Sequence, residues 1–102
     1  MEPGAEAEPR IVRLDMALTF AELLRLAPHL DHDGPLDVGE RSVSAALSGG
    51  RWRLTLGAQS ERVIALLRLP RAEMEIRLDG FAPARAEAFL ARFHRVFQKG
   101  GG

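Results

Sequence analysis

The sequence predicts an α+β domain in which two helices pack on one face of an antiparallel sheet. Five stretches of the chain have the composition of β-strands, and several of them alternate apolar and polar residues with the two-residue period of a strand. They are residues 10–14, 42–48, 51–56, 62–69 and 72–79. Two further stretches, after Thr19 and after Pro83, have the apolar spacing of amphipathic helices. The resulting order β-α-β4-α is accommodated most simply when both helices cover the apolar face of one sheet.

Composition limits the class of protein before any motif is considered. The chain has 102 residues, of which 46% are hydrophobic and 27% are charged, as is typical of a single globular domain. Fourteen basic residues balance fourteen acidic ones, so no global field favours nucleic acid or a membrane surface. The chain has no cysteine, which excludes disulfides, thiol nucleophiles and cysteine-based zinc sites. No apolar run approaches the roughly 20 residues of a membrane span, and the acidic N-terminus is not typical of a signal peptide. We therefore expect a cytoplasmic protein of bacterial type.

The predicted domain covers residues 10–99. A disordered acidic tail is expected at residues 1–9 and a flexible glycine tail at residues 100–102, because neither segment contains residues that would fill a core. The first strand, at residues 10–14, places Val12 and Leu14 on one face.

The first helix has a sequence-level start signal. Thr19 and Glu22 form a capping box, in which each side chain accepts a hydrogen bond from the backbone N–H of the other. Pro28 disfavours helical geometry at the preceding residue, so the helix is expected to end near Ala27. The polar stretch 29–41 that follows is expected to be a long loop.

Residues 42–56 are predicted to form a β-hairpin around the turn Gly49–Gly50. This turn sets the pairing of the two strands and places their apolar residues on one face. The predicted pairs are Leu47 with Trp52, Ala45 with Leu54, and Val43 with Leu56.

A second hairpin is predicted around Pro70–Arg71, between strands 62–69 and 72–79. Its register brings opposite charges together on the outer face, as with Arg68 and Glu73. The predicted apolar pairs are Leu67 with Met74, Ala65 with Ile76, and Val63 with Leu78.

The last helix is predicted to begin near Pro83 and to end at Gly100, which suits a left-handed cap. His94 flanks its apolar stripe, and we expect it to be a partly buried packing residue. The stripe consists of Ala82, Ala86, Phe89, Leu90, Phe93, Val96 and Phe97.

The order of these elements over residues 10–99 resembles the layout of TATA-binding-protein-like domains and of helix-grip domains. The resemblance is one of element order, without a diagnostic motif. It implies an antiparallel sheet with helices on one face and carries no functional assignment.

The residues that could carry chemistry do not form an established pattern. His29, Asp31, His32 and Asp33 are the weak candidates for a metal site, but their spacing fits no common motif, and we interpret them as a solvated acidic turn. The chain has no tyrosine and no Gly-x-Ser-x-Gly motif, so no catalytic constellation can be identified. We therefore expect a protein that is not an enzyme and that binds neither a metal nor a cofactor.

The outer face of the predicted sheet is the candidate interface. It is expected to gather arginines around the apolar residues Ile64 and Leu66, and arginine is enriched in protein interfaces. The candidate residues are Arg51, Arg53, Arg62, Ile64, Leu66, Arg68, Glu75 and Arg77. The simplest partner is a second copy of the chain in a twofold dimer, and a different protein partner is also considered.

Taken together, the sequence predicts a small non-catalytic interaction or accessory domain that is homodimeric through its sheet face. Three alternatives remain open. The face could simply be solvated, it could bind an anionic ligand or nucleic acid through its arginines, or a pocket beneath the last helix could hold a small molecule, as in helix-grip domains.

Overall fold

The computed structural model describes residues 8–58, 60–64 and 67–101. Within them the chain forms six strands, two α-helices and one short 3-10 turn. The elements are β1 (Arg10–Met16), α1 (Phe20–Leu26), the 3-10 turn (Ala27–His29), β2 (Asp33–Val38), β3 (Ser42–Leu47), β4 (Gly50–Leu56), β5 (Ser60–Ile64), β6 (Leu67–Asp79) and α2 (Pro83–Gly101).

The predicted α+β class, with an antiparallel sheet and two helices, is confirmed. Five strands form one antiparallel sheet in the order β1-β6-β4-β3-β2, and β5 pairs with β6 outside this path. The predicted order β-α-β4-α is partly wrong, because five strands rather than four follow α1.

The additional strand, β2, lies inside the stretch 29–41 that was predicted to be a loop. Its sequence contains a glycine, a proline and two aspartates, and therefore has no strand pattern of its own. It is held by pairing with β3, where Asp33 lies opposite Ala46 and Val38 lies opposite Val43. The Asp33 carboxylate also accepts a hydrogen bond of 2.7 Å from the backbone N–H of Ser48. Contacts distant in sequence therefore decide the conformation of this segment.

Helix α1 begins as its sequence predicts. The backbone N–H of Glu22 donates to the Thr19 hydroxyl at 3.2 Å, and the backbone N–H of Thr19 donates to the Glu22 carboxylate at 2.8 Å. The helix gives way to the 3-10 turn at Ala27, next to Pro28, where the end was expected. The capping box and the proline thus fix both ends of a helix whose Leu23 is fully buried.

The β3–β4 hairpin has the predicted apolar face but a different register. The turn consists of Ser48 and Gly49, both with positive φ, so Ala45 pairs with Trp52 rather than with Leu54. The register differs by two residues, and because side chains alternate with period two, the same residues still face the core. Gly50 belongs to β4, where a Cβ atom would lie 2.5 Å from a backbone carbonyl at the end of β6.

The predicted second hairpin is wrong, because Pro70 and Arg71 lie inside the continuous strand β6. Strand β5 pairs with residues 67–71 instead, with Ile64 opposite Leu67. Since no strand other than β5 pairs with this part of β6 in the described residues, the missing N–H of Pro70 interrupts no sheet ladder on the opposite side.

The remainder of β6 pairs on both sides within the main sheet. Met74 and Ile76, for which Leu67 and Ala65 were the predicted partners, lie between β1 and β4. The predicted pair of Arg68 with Glu73 is also wrong, because Arg68 faces Val63 and Glu73 faces Asp15. Leu78, for which Val63 was the predicted partner, likewise lies between β1 and β4.

The core lies between the sheet and the two helices, and its largest member is Trp52. This side chain is 0% exposed, its ring lies 5.6 Å from that of Phe89 on α2, and its indole N–H donates to the carbonyl of Asp31 at 3.0 Å. Further along α2, the rings of Phe93 and Phe97 stack at 4.4 Å and are both buried. These four aromatic rings fill the centre of the interface between helix and sheet.

Helix α2 begins at Pro83 as predicted and extends through Gly101, one residue past the predicted end. Most of its predicted stripe is buried, but Ala82 precedes the helix and is exposed. His94 is exposed as well, so the prediction that it packs in a partly buried position is wrong. Residues 1–7 of the predicted acidic tail and Gly102 of the glycine tail lie outside the described residues.

Replacing Trp52 by alanine should lower the free energy of unfolding by about 3–5 kcal/mol, because the change leaves a large cavity in the central strand. Urea denaturation followed by circular dichroism measures this loss. Arg53→Ala is the matched control, since its side chain is exposed on the next residue of β4, and it should change stability by less than about 0.5 kcal/mol. Similar losses in both variants would contradict the position assigned to Trp52.

Candidate functional site

The outer face of the five-stranded sheet, opposite the helices, carries four of the predicted interface residues. Arg51 and Arg53 lie on β4, and Glu75 and Arg77 lie on β6. The register places Arg53 directly opposite Arg77, and Glu75 opposite Thr55. The sheet thus brings these four predicted residues together on one surface.

Most arginines of this face are engaged in ion pairs with carboxylates. Nitrogen–oxygen distances are 3.1 Å for Arg13 with Glu75, 3.1 Å for Arg77 with Asp79, and 2.7 Å for Arg71 with Asp15, and Arg51 also contacts Asp37. Exposed pairs of this kind contribute roughly 0–1 kcal/mol each. Carboxylates therefore compensate most of the positive charge on the described part of this face.

Arg53 is the exception on this face. Its side chain is exposed, and among the residues that the structure describes it has no ion-pair partner. It also faces another guanidinium, because Arg77 is its direct neighbour across the strand pair. Like charges in directly opposite positions repel one another. Arg53 is thus the residue of this face that is available to an external anion or carboxylate.

Three of the other four predicted interface residues belong to a different part of the fold. Arg62 and Ile64 lie on β5, and Arg68 lies on the part of β6 that pairs with β5, whereas Leu66 lies outside the described residues. We call residues 60–71 the β5–β6 hairpin. The register of β1 along β6 stops at Ala72, so this hairpin continues beyond the main sheet. The predicted interface is therefore divided between the sheet face and the hairpin.

The four weak metal candidates do not converge. His32 Nδ1 lies 2.9 Å from the carbonyl of Gly34, the Asp33 carboxylate accepts from a backbone N–H, and Asp31 lies 3.9 Å from Arg92. His29 closes the 3-10 turn. Among the described residues no group of three or more histidine, aspartate or glutamate side chains could hold a metal ion. Each candidate thus has a local partner or stands apart from the others.

A second site, which the sequence analysis missed, lies where α1 and the 3-10 turn meet α2. An open groove of about 860 Å³ is lined there by Arg25 and His29 on one side and by Arg92 and Arg95 on the other. We call it the cationic groove. The signal was present in the helical spacing, because all three arginines lie off the buried stripes of their helices. Only the packing of the helices, however, determines that they share one groove.

Neither described helix is both long enough and apolar enough to cross a membrane. Comparisons with protein-family models, with curated protein sequences and with solved structures gave no match. The functional argument therefore rests on the geometry of the hairpin, the sheet face and the groove.

Replacing Arg53 by glutamate should raise the free energy of unfolding by roughly 0.2–1 kcal/mol, because an opposite charge would then face Arg77. Thermal and urea unfolding at low and high salt measure the change, which should shrink as salt screens the pair. Arg53→Gln removes the repulsion without adding an attraction and should give an intermediate value. A glutamate variant less stable than the wild type would show that the two arginines do not oppose each other.

Proposed function

We propose that this chain is a small non-catalytic interaction domain that self-associates through the β5–β6 hairpin and the adjoining outer face of the sheet. The observation that carries the proposal is the pairing of the hairpin. Within the described residues, β5 pairs with β6 alone, and residues 67–71 of β6 pair with β5 alone. A two-stranded hairpin is at best marginally stable in water, so this segment gains most from a further strand or surface.

The composition of the hairpin supports a protein partner. Its residues 62–70 read RVIALLRLP, and its one acidic residue is Glu61. An apolar segment with unpaired strand edges readily pairs with another chain. A second copy of the chain is the simplest partner. Around a twofold axis, the unpaired strand edge of each hairpin would pair with the same edge of the other hairpin.

The sheet face would supply the polar rim of such an interface. Its ion pairs are solvent-exposed, so they can be rearranged at little cost when a partner approaches. Arg53 adds a guanidinium without an ion pair in the described part of the chain. An apolar centre on the hairpin with charged residues around it matches the usual composition of protein interfaces.

We also interpret the β5–β6 hairpin as an insertion into a layout similar to the TATA-binding-protein-like and helix-grip domains. In that layout an interior pocket beneath the long helix would be the alternative site. Trp52, Phe89, Phe93 and Phe97 are each at most 4% exposed, and they occupy the space that such a pocket would need. Their packing favours an interaction surface over an interior ligand site.

The wild-type chain should be a dimer, and Ile64→Glu or Leu66→Glu should convert it to a monomer with an unchanged circular dichroism spectrum. The physical reason is that a carboxylate at the centre of the interface would be desolvated without a partner. Native mass spectrometry and light scattering report the subunit count. Val38→Glu is the matched control, because Val38 is 59% exposed on the strand at the other edge of the sheet, and it should leave the dimer intact.

Three results would contradict this proposal. The first is a monomeric wild type at every concentration tested. The second is dissociation by Val38→Glu while the hairpin variants stay dimeric, which would move the contact to β2. If either hairpin variant unfolds, Arg68→Glu provides the same test by charge reversal. The third contradicting result is that the Arg68→Glu variant folds and remains a dimer.

A further inference from the structure

We propose that the cationic groove between α1 and α2 is a binding site for a small organic anion, a phosphate ester whose apolar body lies over the floor of the groove. The site lies on the helices, away from the β5–β6 hairpin. The inference is therefore independent of self-association.

The charge of the groove is the first argument. Among the described residues neither Arg25 nor Arg95 has an ion pair, and no carboxylate lines the groove. Arg92 has only a distant contact of 3.9 Å with Asp31 and donates a long hydrogen bond of 3.4 Å to the carbonyl of His29. Guanidinium groups bind phosphate through paired, charge-assisted hydrogen bonds. Three of them in one groove without a lining acid form a local anion site on a chain with no net charge.

The placement of these arginines distinguishes the groove from the outer face of the sheet. There, four arginines form ion pairs with an aspartate or a glutamate, as Arg13 does with Glu75. In the groove, Arg25 lies in the last turn of α1, where the helix dipole favours a cation. A bound dianion would compensate the positive charge of the guanidinium groups that line the groove.

The shape and floor of the groove define the class of ligand. Its volume of about 860 Å³ falls in the range of small-molecule sites. Leu26 and Val96 are half-buried and form an apolar floor between the charged walls. The lining that the structure describes contains no phenylalanine or tryptophan on which bases could stack, so a small phosphate ester fits better than single-stranded nucleic acid.

The probe for this site is 1-naphthyl phosphate, measured by isothermal titration calorimetry at low ionic strength, with 1-naphthol as its uncharged counterpart. We expect saturable binding of the phosphate, weaker binding at raised salt and no saturable binding of the naphthol. The double variant Arg25→Gln/Arg95→Gln should bind about tenfold more weakly or worse, because it loses charge-assisted hydrogen bonds.

Arg85→Gln is the matched control, since Arg85 lies on α2 but bonds to the Ser48 hydroxyl, outside the groove. It should bind the probe as the wild type does, and circular dichroism checks that both variants fold. The proposal is overturned if 1-naphthyl phosphate does not saturate, if the double variant binds it unchanged, or if 1-naphthol binds equally well. Two competitors, phenyl phosphate and a short oligothymidylate, are compared for displacement of 1-naphthyl phosphate. If the oligothymidylate displaces it at the lower concentration, the groove would instead be assigned to nucleic acid.

Discussion

Burial of Trp52 is the constraint on which the rest of the structure depends. It lies on β4, the central strand of the sheet, and its ring contacts Phe89 on α2. Its indole N–H also binds the carbonyl of Asp31, in the segment between the 3-10 turn and β2. One side chain thus connects the sheet, the long helix and the segment that follows α1. Because α1 and α2 are both held on this face, the groove between them exists.

Covering only one side of the sheet gives the molecule surfaces of different chemistry. The outer face is polar, and its arginines largely pair with carboxylates on the same strand or on other strands of the sheet. The β5–β6 hairpin contains the apolar run of residues 63–67 and extends past the main sheet. The cationic groove carries arginines without lining acids. A net charge of zero therefore conceals an uneven distribution, and local geometry rather than composition indicates where a partner or ligand would bind.

The predicted elements succeeded where the signal lies within a few residues. The capping box of Thr19 and Glu22 fixed the start of α1, and the spacing of Phe89, Phe93 and Phe97 fixed the buried side of α2. Pro70 misled the prediction for the same reason. It is a strong local turn signal, but β6 continues through it because β5 pairs with residues 67–71 and because β1 and β4 pair with the residues that follow. Pairing along the whole strand outweighs one unfavourable residue.

By itself, the sequence determined the fold class, the two helices and the apolar face of each central strand, since these follow from periodicity and capping over short distances. Only the tertiary structure decided that 33–38 is a strand, that the turn of the second hairpin is not at Pro70, and that Arg25 and Arg95 line one groove. Each of these depends on pairing or packing between segments far apart in the chain. The free energy of such a contact depends on the residues of both segments, so the sequence of one segment alone does not determine its conformation.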